Sequence, residues 1–171
     1  MTGEKFTFFW QTRSPFSQWH PCVFNLGGIK YCCTEQYMMA HKAMLFDDPE
    51  SHRRIMATES PREHKKLGRK VANFDPDVWN KNAKDIVFRG NIAKFTQNED
   101  LKRALLATKG TTLVEASPYD KIWGIGLAED DPRALKRETW LGMNWLGEIL
   151  TKVRNKIAEE EGFRAISEGS I

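Results

Sequence analysis

The stretch "CVFNLGGIKYCCTEQYMMAHKAML", residues 22–45, changes its periodicity part-way along. Its first half reads as a β-hairpin with the turn at Gly27-Gly28, a pair able to adopt the positive φ that tight hairpin turns require. From Thr34 the apolar or small residues Tyr37, Met38, Ala40, Met44 and Leu45 fall at helical spacing, with Thr34 as the expected N-cap. A hairpin running straight into a helix points to an α+β protein.

The neighbouring segments extend that pattern. "FTFFW" at residues 6–10 reads as a strand, so a small antiparallel sheet is expected near the N-terminus. Between it and the hairpin, "QTRSPFSQWHP" forms a loop rich in aromatic residues, with two prolines and Arg13. Such a loop either caps the core with Phe16 and Trp19 or carries function.

Helical ends follow in clear order. Asp48-Pro49 supplies an N-cap and a Pro at N1, and Ser60-Pro61-Arg62-Glu63 adds a capping box, with Gly68 able to end that helix as C′. Asp75-Pro76 opens a longer helix carrying Val78, Trp79, Ala83, Ile86 and Val87 on one side. "NEDLKRALLAT" makes another, and "TTLVEAS" is a strand candidate. The last helix, from about Asn144, places Leu146, Ile149, Leu150, Val153 and Ile157 on a core-facing stripe. The expected fold class is α+β: one mostly helical domain over residues 1–157 with a small antiparallel sheet, then an acidic tail over 158–171.

Composition excludes several classes. With 40% hydrophobic and 29% charged residues, the 171-residue chain suits a folded domain able to bury a core. No apolar run reaches the roughly 20 residues of a membrane span, and "MTGEKF" lacks a signal-peptide core. An intracellular address, cytoplasmic or nuclear, and no membrane partner are expected. Cys22, Cys32 and Cys33 lack C-x-x-C spacing, and the four histidines form no H-x-x-x-H, so no disulfide framework and no metal site are expected. Net charge is only +3. Residues 50–109, however, carry 14 Lys/Arg against 8 Asp/Glu, a basic stretch able to attract phosphate.

No P-loop, dinucleotide fingerprint or nucleophile elbow is present. What stands out is Glu35, an acid in a run of sulfur, aromatic and small residues. In a first helical turn the dipole alone favours an anion there. Lys42, two turns on, projects from the same face about 10 Å away, so the pair either flanks a ligand or leaves Lys42 at the surface. Gly68-Arg69 is either a helix end with a solvated Arg or a phosphate contact. Trp79 suits core or stacking, and Asp120 precedes Trp123-Gly124-Ile125-Gly126, a turn whose glycines permit close backbone approach.

The segments "SPFSQW", "TEQYMMAHKA", "KLGRKV.NFDPDVW", "KF.QNEDLKRALLAT", "LVEASPYDKIWGIGLAEDDP" and "W.GMNWLGEIL..VR" together resemble the YbiA-like family, also called NADAR for its predicted association with NAD and ADP-ribose. The resemblance runs from about Phe6 to Ile157. Gln18 departs from the "PFSN" of many relatives. The resemblance implies cleavage of N-glycosidic bonds, since relatives act on phosphoribosyl intermediates of riboflavin biosynthesis or remove ADP-ribose from guanine. It places the family's functional Glu, Trp and Asp on Glu35, Trp79 and Asp120, with Lys42, Arg69, Gly124 and Gly126 in the matching pattern.

The expected catalytic residues are thus Glu35, Lys42 and Asp120, with Arg13, Gly68, Arg69, Trp79, Trp123, Gly124, Gly126 and Asn144 binding substrate and no cofactor required. A carboxylate beside ribose C1 would stabilise an oxocarbenium-like transition state or activate water, and an acid would protonate the leaving nitrogen. Lys42 offers a Schiff-base route or a phosphate contact. The expected partners are ADP-ribose or another ribose phosphate, and ADP-ribosylated DNA or RNA. The rivals are a riboflavin-pathway N-glycosidase and a non-catalytic ADP-ribose reader.

Overall fold

The computed structural model describes residues 3–169. In chain order it contains β1 (Phe6–Phe9), β2 (Phe24–Leu26), β3 (Ile29–Tyr31), α1 (Thr34–Leu45), α2 (Pro49–Met56), α3 (Pro61–Gly68), α4 (Pro76–Gln97), α5 (Glu99–Leu106), β4 (Thr112–Glu115) and α6 (Trp145–Glu168). Two 3-10 turns, Pro132–Leu135 and Arg137–Thr139, precede α6. The protein is α+β and mostly helical. Its contacts group into two compact units, Gln11–Asn98 and the remainder, Met1–Trp10 with Glu99–Ile171.

In the Gln11–Asn98 unit, β2 and β3 form the expected hairpin, Leu26 facing Ile29 across Gly27 and Gly28, whose φ values are +62° and +79°. Helix α1 is buried on nearly all sides from Thr34 to Ala40 and packs against α2, α3 and α4. A helix enclosed in this way buries polar residues as well as apolar ones, so Thr34, Glu35 and Gln36 lie inside along with Met38, Met39 and Ala40.

The N-cap of α1 is Cys33, not Thr34: Cys33 Sγ accepts the Gln36 N–H at 3.4 Å, while Gln36 Oε1 accepts the Cys32 N–H at 2.8 Å. This is a variant of the capping box, with a thiol in place of the hydroxyl and the returning bond made to the residue before the cap, and the cap lies one residue earlier than Thr34. The Thr34 hydroxyl instead donates to the carbonyl of Gln18. Caps at Asp48, Ser60 and Asp75 follow the sequence, each with Pro at the first helical positions. On α4, Ala83, Ile86 and Val87 are buried as expected, but Val78 is 37% exposed.

In the other unit the antiparallel arrangement expected for the first strand gives way to a parallel one: β1 pairs with β4, Phe6 facing Thr112 and Phe9 facing Glu115. Parallel partners need a long crossover, and no local turn signals one. Val114, Ala116, Ile125, Leu127 and Ala134 form the core there, with Phe6, Phe8 and Trp140 packed against them. Helix α6 lies on β4 and buries Leu146, Ile149, Leu150, Val153 and Ile157. It continues unbroken past Ile157 to Glu168, through most of the acidic segment expected as a tail; Ser170 and Ile171 lie outside the described residues.

Helix α6 also closes the second edge of β4. Thr151 Oγ1 accepts the Leu113 N–H at 3.0 Å, and the Asn144 amide accepts from Glu115 N and donates to Leu113 O, both at 3.0 Å. Side chains thereby satisfy strand groups that would otherwise present an open edge.

Candidate active site

Within the Gln11–Asn98 unit the start of α1 is pinned by the aromatic loop before the hairpin. The Gln18 carbonyl accepts from both Thr34 Oγ1 (3.2 Å) and the Glu35 backbone N–H (3.0 Å). Ser14 and Ser17 fold the loop on itself through hydroxyls that accept the N–H groups of Phe16 and Trp19. The ammonium of Lys94, wholly buried on α4, donates to Ser17 O at 3.0 Å. Glu35 is thereby held 5% exposed in the first turn of α1.

Lys42 follows on the same helix, half-buried. Its ammonium lies 4.5 Å from the centroid of the Phe74 ring and 5.5 Å from that of Trp79. Burial pulls its pKa down; the Glu35 carboxylate opposes that, and the Arg69 guanidinium adds to it. The structure thus brings Glu35, Lys42, Arg69 and Trp79 into one neighbourhood. Phe74 was not among the expected residues, yet the sequence signals it: Phe74 and Trp79 are the N′ and N4 positions of α4, where a hydrophobic staple forms.

Gly68 has a different task from the one its sequence suggests. It lies inside the last turn of α3, the C-cap is Arg69 at φ −70°, and a Cβ at Gly68 would run into Met39 Sδ. The glycine is there so that α3 can approach α1, not to turn the chain in a left-handed C′ conformation. Arg13 stands exposed on the aromatic loop.

In the other unit, Asp120 organises the turn after β4. Its Oδ1 accepts the N–H groups of Ile122 and Trp123, both at 2.9 Å, and its carbonyl accepts that of Gly126 at 3.0 Å. Gly126 has a φ of +70°, and a Cβ on Gly124 would sit 2.8 Å from Glu115 O. Both glycines are therefore required by the turn itself. Trp123 packs edge-on to Trp145 at 5.4 Å between centroids. Gly124, Ile122 and Trp123 carbonyls accept from Asn144, Trp145 and Leu146, tying the turn to the start of α6.

Asn144 is buried, at φ +55°, with its side-chain amide engaged by the β4 backbone. Glu115 was not foreseen: one of its carboxylate oxygens lies 3.3 Å from where a Gly124 Cβ would be, beside the turn that Asp120 holds. Nothing in its strand context distinguishes it from an ordinary outward-facing residue.

The model of the NADAR domain matches residues 8–158, a span that includes parts of both units. The chain belongs to the NADAR family. It is 47% identical over 146 residues to N-glycosidase R617 of Acanthamoeba polyphaga mimivirus, covering 82% of this chain and 86% of that one. It is 32% identical over 130 residues to the riboflavin biosynthesis protein PYRR of Zea mays, covering 72% of this chain but 19% of that protein. The NMR structure of the E. coli protein YbiA superposes with a TM-score of 0.76 at 24% identity, covering 94% and 89% of the two chains, and shares the fold. The NADAR match takes in Glu35, Lys42, Arg69 and Trp79 of one unit and Asp120 with the turn at residues 123–126 of the other. Among the described residues no helix is long and apolar enough to cross a membrane.

Proposed function

We propose that the protein is an N-glycosidase that removes ADP-ribose from ADP-ribosylated guanine in nucleic acid. The observation that carries the reading is the buried acid Glu35 sharing a neighbourhood with a desolvated, ring-flanked Lys42. Its N-glycosidase component is supported by the name and 47% identity of the mimivirus relative. The exposed Arg69 and the basic stretch over residues 50–109 suit a phosphate-bearing substrate.

In this reading the bond from ribose C1 to the guanine nitrogen breaks with its electron pair passing to the base. Glu35 supplies the proton to the leaving nitrogen, and water adds hydroxide at C1 after losing its proton to the resulting carboxylate. The resemblance to the family gives Asp120 the part of orienting ribose or water. Lys42, with its pKa lowered by burial, stabilises phosphate charge or, as the neutral amine, adds to C1 of the ring-opened imine. The C1–base nitrogen bond then breaks as that nitrogen takes a proton, and water hydrolyses the remaining lysine Schiff base to free the sugar and the amine. Trp79, beside Lys42, stacks on base or ribose.

The test incubates the protein with a guanine-ADP-ribosylated oligonucleotide and, separately, with the phosphoribosyl-aminopyrimidine of riboflavin synthesis, following released base by chromatography with Glu35→Gln as control. Release from the oligonucleotide that is lost in Glu35→Gln is expected. Release from the aminopyrimidine alone would favour the riboflavin reading, which the maize relative's name supports. Turnover of neither would favour a reader, and full turnover by Glu35→Gln would remove that residue from the acid/base role.

A further inference from the structure

We propose that Cys32, Cys33 and His64 bind one thiophilic divalent cation of the zinc class. The two thiol sulfurs and a ring nitrogen of His64 lie within 4.8 Å of one another, with Cys33 Sγ 3.7 Å from His64 Nδ1. Tetrahedral zinc with bonds of about 2.3 Å to sulfur and about 2.0 Å to nitrogen needs a sulfur-to-nitrogen separation of roughly 3.5 Å, so the pair closes on an ion with almost no movement.

The imidazole is already set for ligation. His64 Nε2 lies 2.6 Å from Thr58 O, a carbonyl that can only accept, so Nε2 carries the hydrogen and the lone pair of Nδ1 faces the sulfur. Metal-bound histidines are held by this kind of outer hydrogen bond. His64 and Cys33 are buried, whereas Cys32 is half-exposed and gives the ion a way in. Two thiols and an imidazole favour zinc-like ions over magnesium or calcium. The fourth position falls to water or to Glu59 O, which lies 3.9 Å from Cys32 Sγ.

Binding is a ligand exchange without redox change: two S–H bonds break, two metal–sulfur bonds and one metal–nitrogen bond form, and two protons leave to solvent. Burial is the largest influence on both thiols and pushes their pKa values up; among the charged groups, Lys94 favours the Cys33 thiolate, while Glu35 on Cys33 and Glu59 on Cys32 oppose ionisation, so the ion itself must displace the two protons. The ion would bolt the junction between β3 and α1 to α3. Helix α1 carries Glu35 and Lys42 and α3 ends at Arg69, so the ion would tie together the two helices that hold those residues.

The sequence could not show this, because His64 is 31 residues from Cys33 and belongs to a different helix.

The test titrates the reduced, chelator-free protein with cobalt(II). Expected are a thiolate-to-cobalt charge-transfer band and tetrahedral d–d absorption saturating at one ion per chain, with two protons released and the bands lost on adding zinc. Cys32→Ser, at a half-exposed position, should lose affinity beyond the roughly 10–100-fold typical of removing a supporting partner. Cys22→Ser should retain it. Absence of the charge-transfer band in the unsubstituted protein would overturn the proposal, whatever the variants do. A band unchanged in Cys32→Ser, or equally lost in Cys22→Ser, would overturn the assigned ligands.

Discussion

The Lys42 ammonium lies 4.5 Å from the centre of the Phe74 ring, so a side chain at the staple position of one helix sets the environment of an amine on another. Two effects of the ring oppose each other. Its π face favours the charged amine by about 0.5–1 kcal/mol, while its bulk excludes water and favours the neutral one. Burial is the largest influence on Lys42, and the net pKa is lowered. Phe74→Ala should therefore raise the Lys42 pKa toward the ordinary lysine value, read by NMR of isotopically labelled lysine. An unchanged or lower titration point would show that the ring is not what shields the amine.

Asp120 offers a separation of charge from structure. Asn at this position can still accept the Ile122 and Trp123 N–H groups through its carbonyl, whereas Ala cannot. Asp120→Asn should keep the melting temperature within a few degrees while lowering kcat by about tenfold or more. Asp120→Ala should lose both, with each unmade hydrogen bond costing about 1 kcal/mol. Full activity in the Asn variant would assign Asp120 to the turn alone.

Gly68 tests packing against ligand binding. A methyl group there meets Met39 Sδ, and overpacking of this kind costs about 1–3 kcal/mol. Gly68→Ala should lower the thermal midpoint, with KM for any substrate near its original value. The reverse pattern, a raised KM at unchanged stability, would restore a substrate contact.

Lys94 predicts a pH dependence of stability. Burial, its largest influence, lowers its pKa from 10.5 to about 8. The folded chain therefore holds this proton less tightly than the unfolded chain. Below about pH 8 both states are charged and the cost of burying the ammonium is constant, roughly 3 kcal/mol relative to the neutral amine. Between about pH 8 and the ordinary lysine range the unfolded state binds more protons, and this group's contribution to stability rises with pH. Urea unfolding of the protein and of Lys94→Met at pH 7, 8.5 and 10 should show the original gaining on the variant as pH rises. A constant difference across that range would mean that Lys94 titrates normally.

The parts of the fold written in local chemistry were legible from sequence. Gly27-Gly28 named its turn, and Asp48-Pro49, Ser60-Pro61 and Asp75-Pro76 named their helix starts, because caps and turns are satisfied within a few residues. What was hidden depends on distant partners. The strand at Phe6 pairs with Thr112, Gly68 answers to Met39, and the Asn144 amide engages the backbone of β4. In the candidate site, Glu35 and Lys42 were visible as a helical pair. Phe74 required reading the staple as a feature with a second use, and His64 could be linked to the cysteines only through the packing of α3 on α1.

The parallel register of β1 with β4 imposes an order on synthesis. Phe6 and Phe8 emerge from the ribosome more than a hundred residues before Thr112 and Val114, their partners. During that interval the helices of residues 11–98 are complete, while an apolar strand has no sheet to join, the condition under which nascent chains associate wrongly. A chain stopped before Thr112 would leave that strand permanently unpaired, so premature termination in this region should yield aggregates rather than a smaller soluble protein.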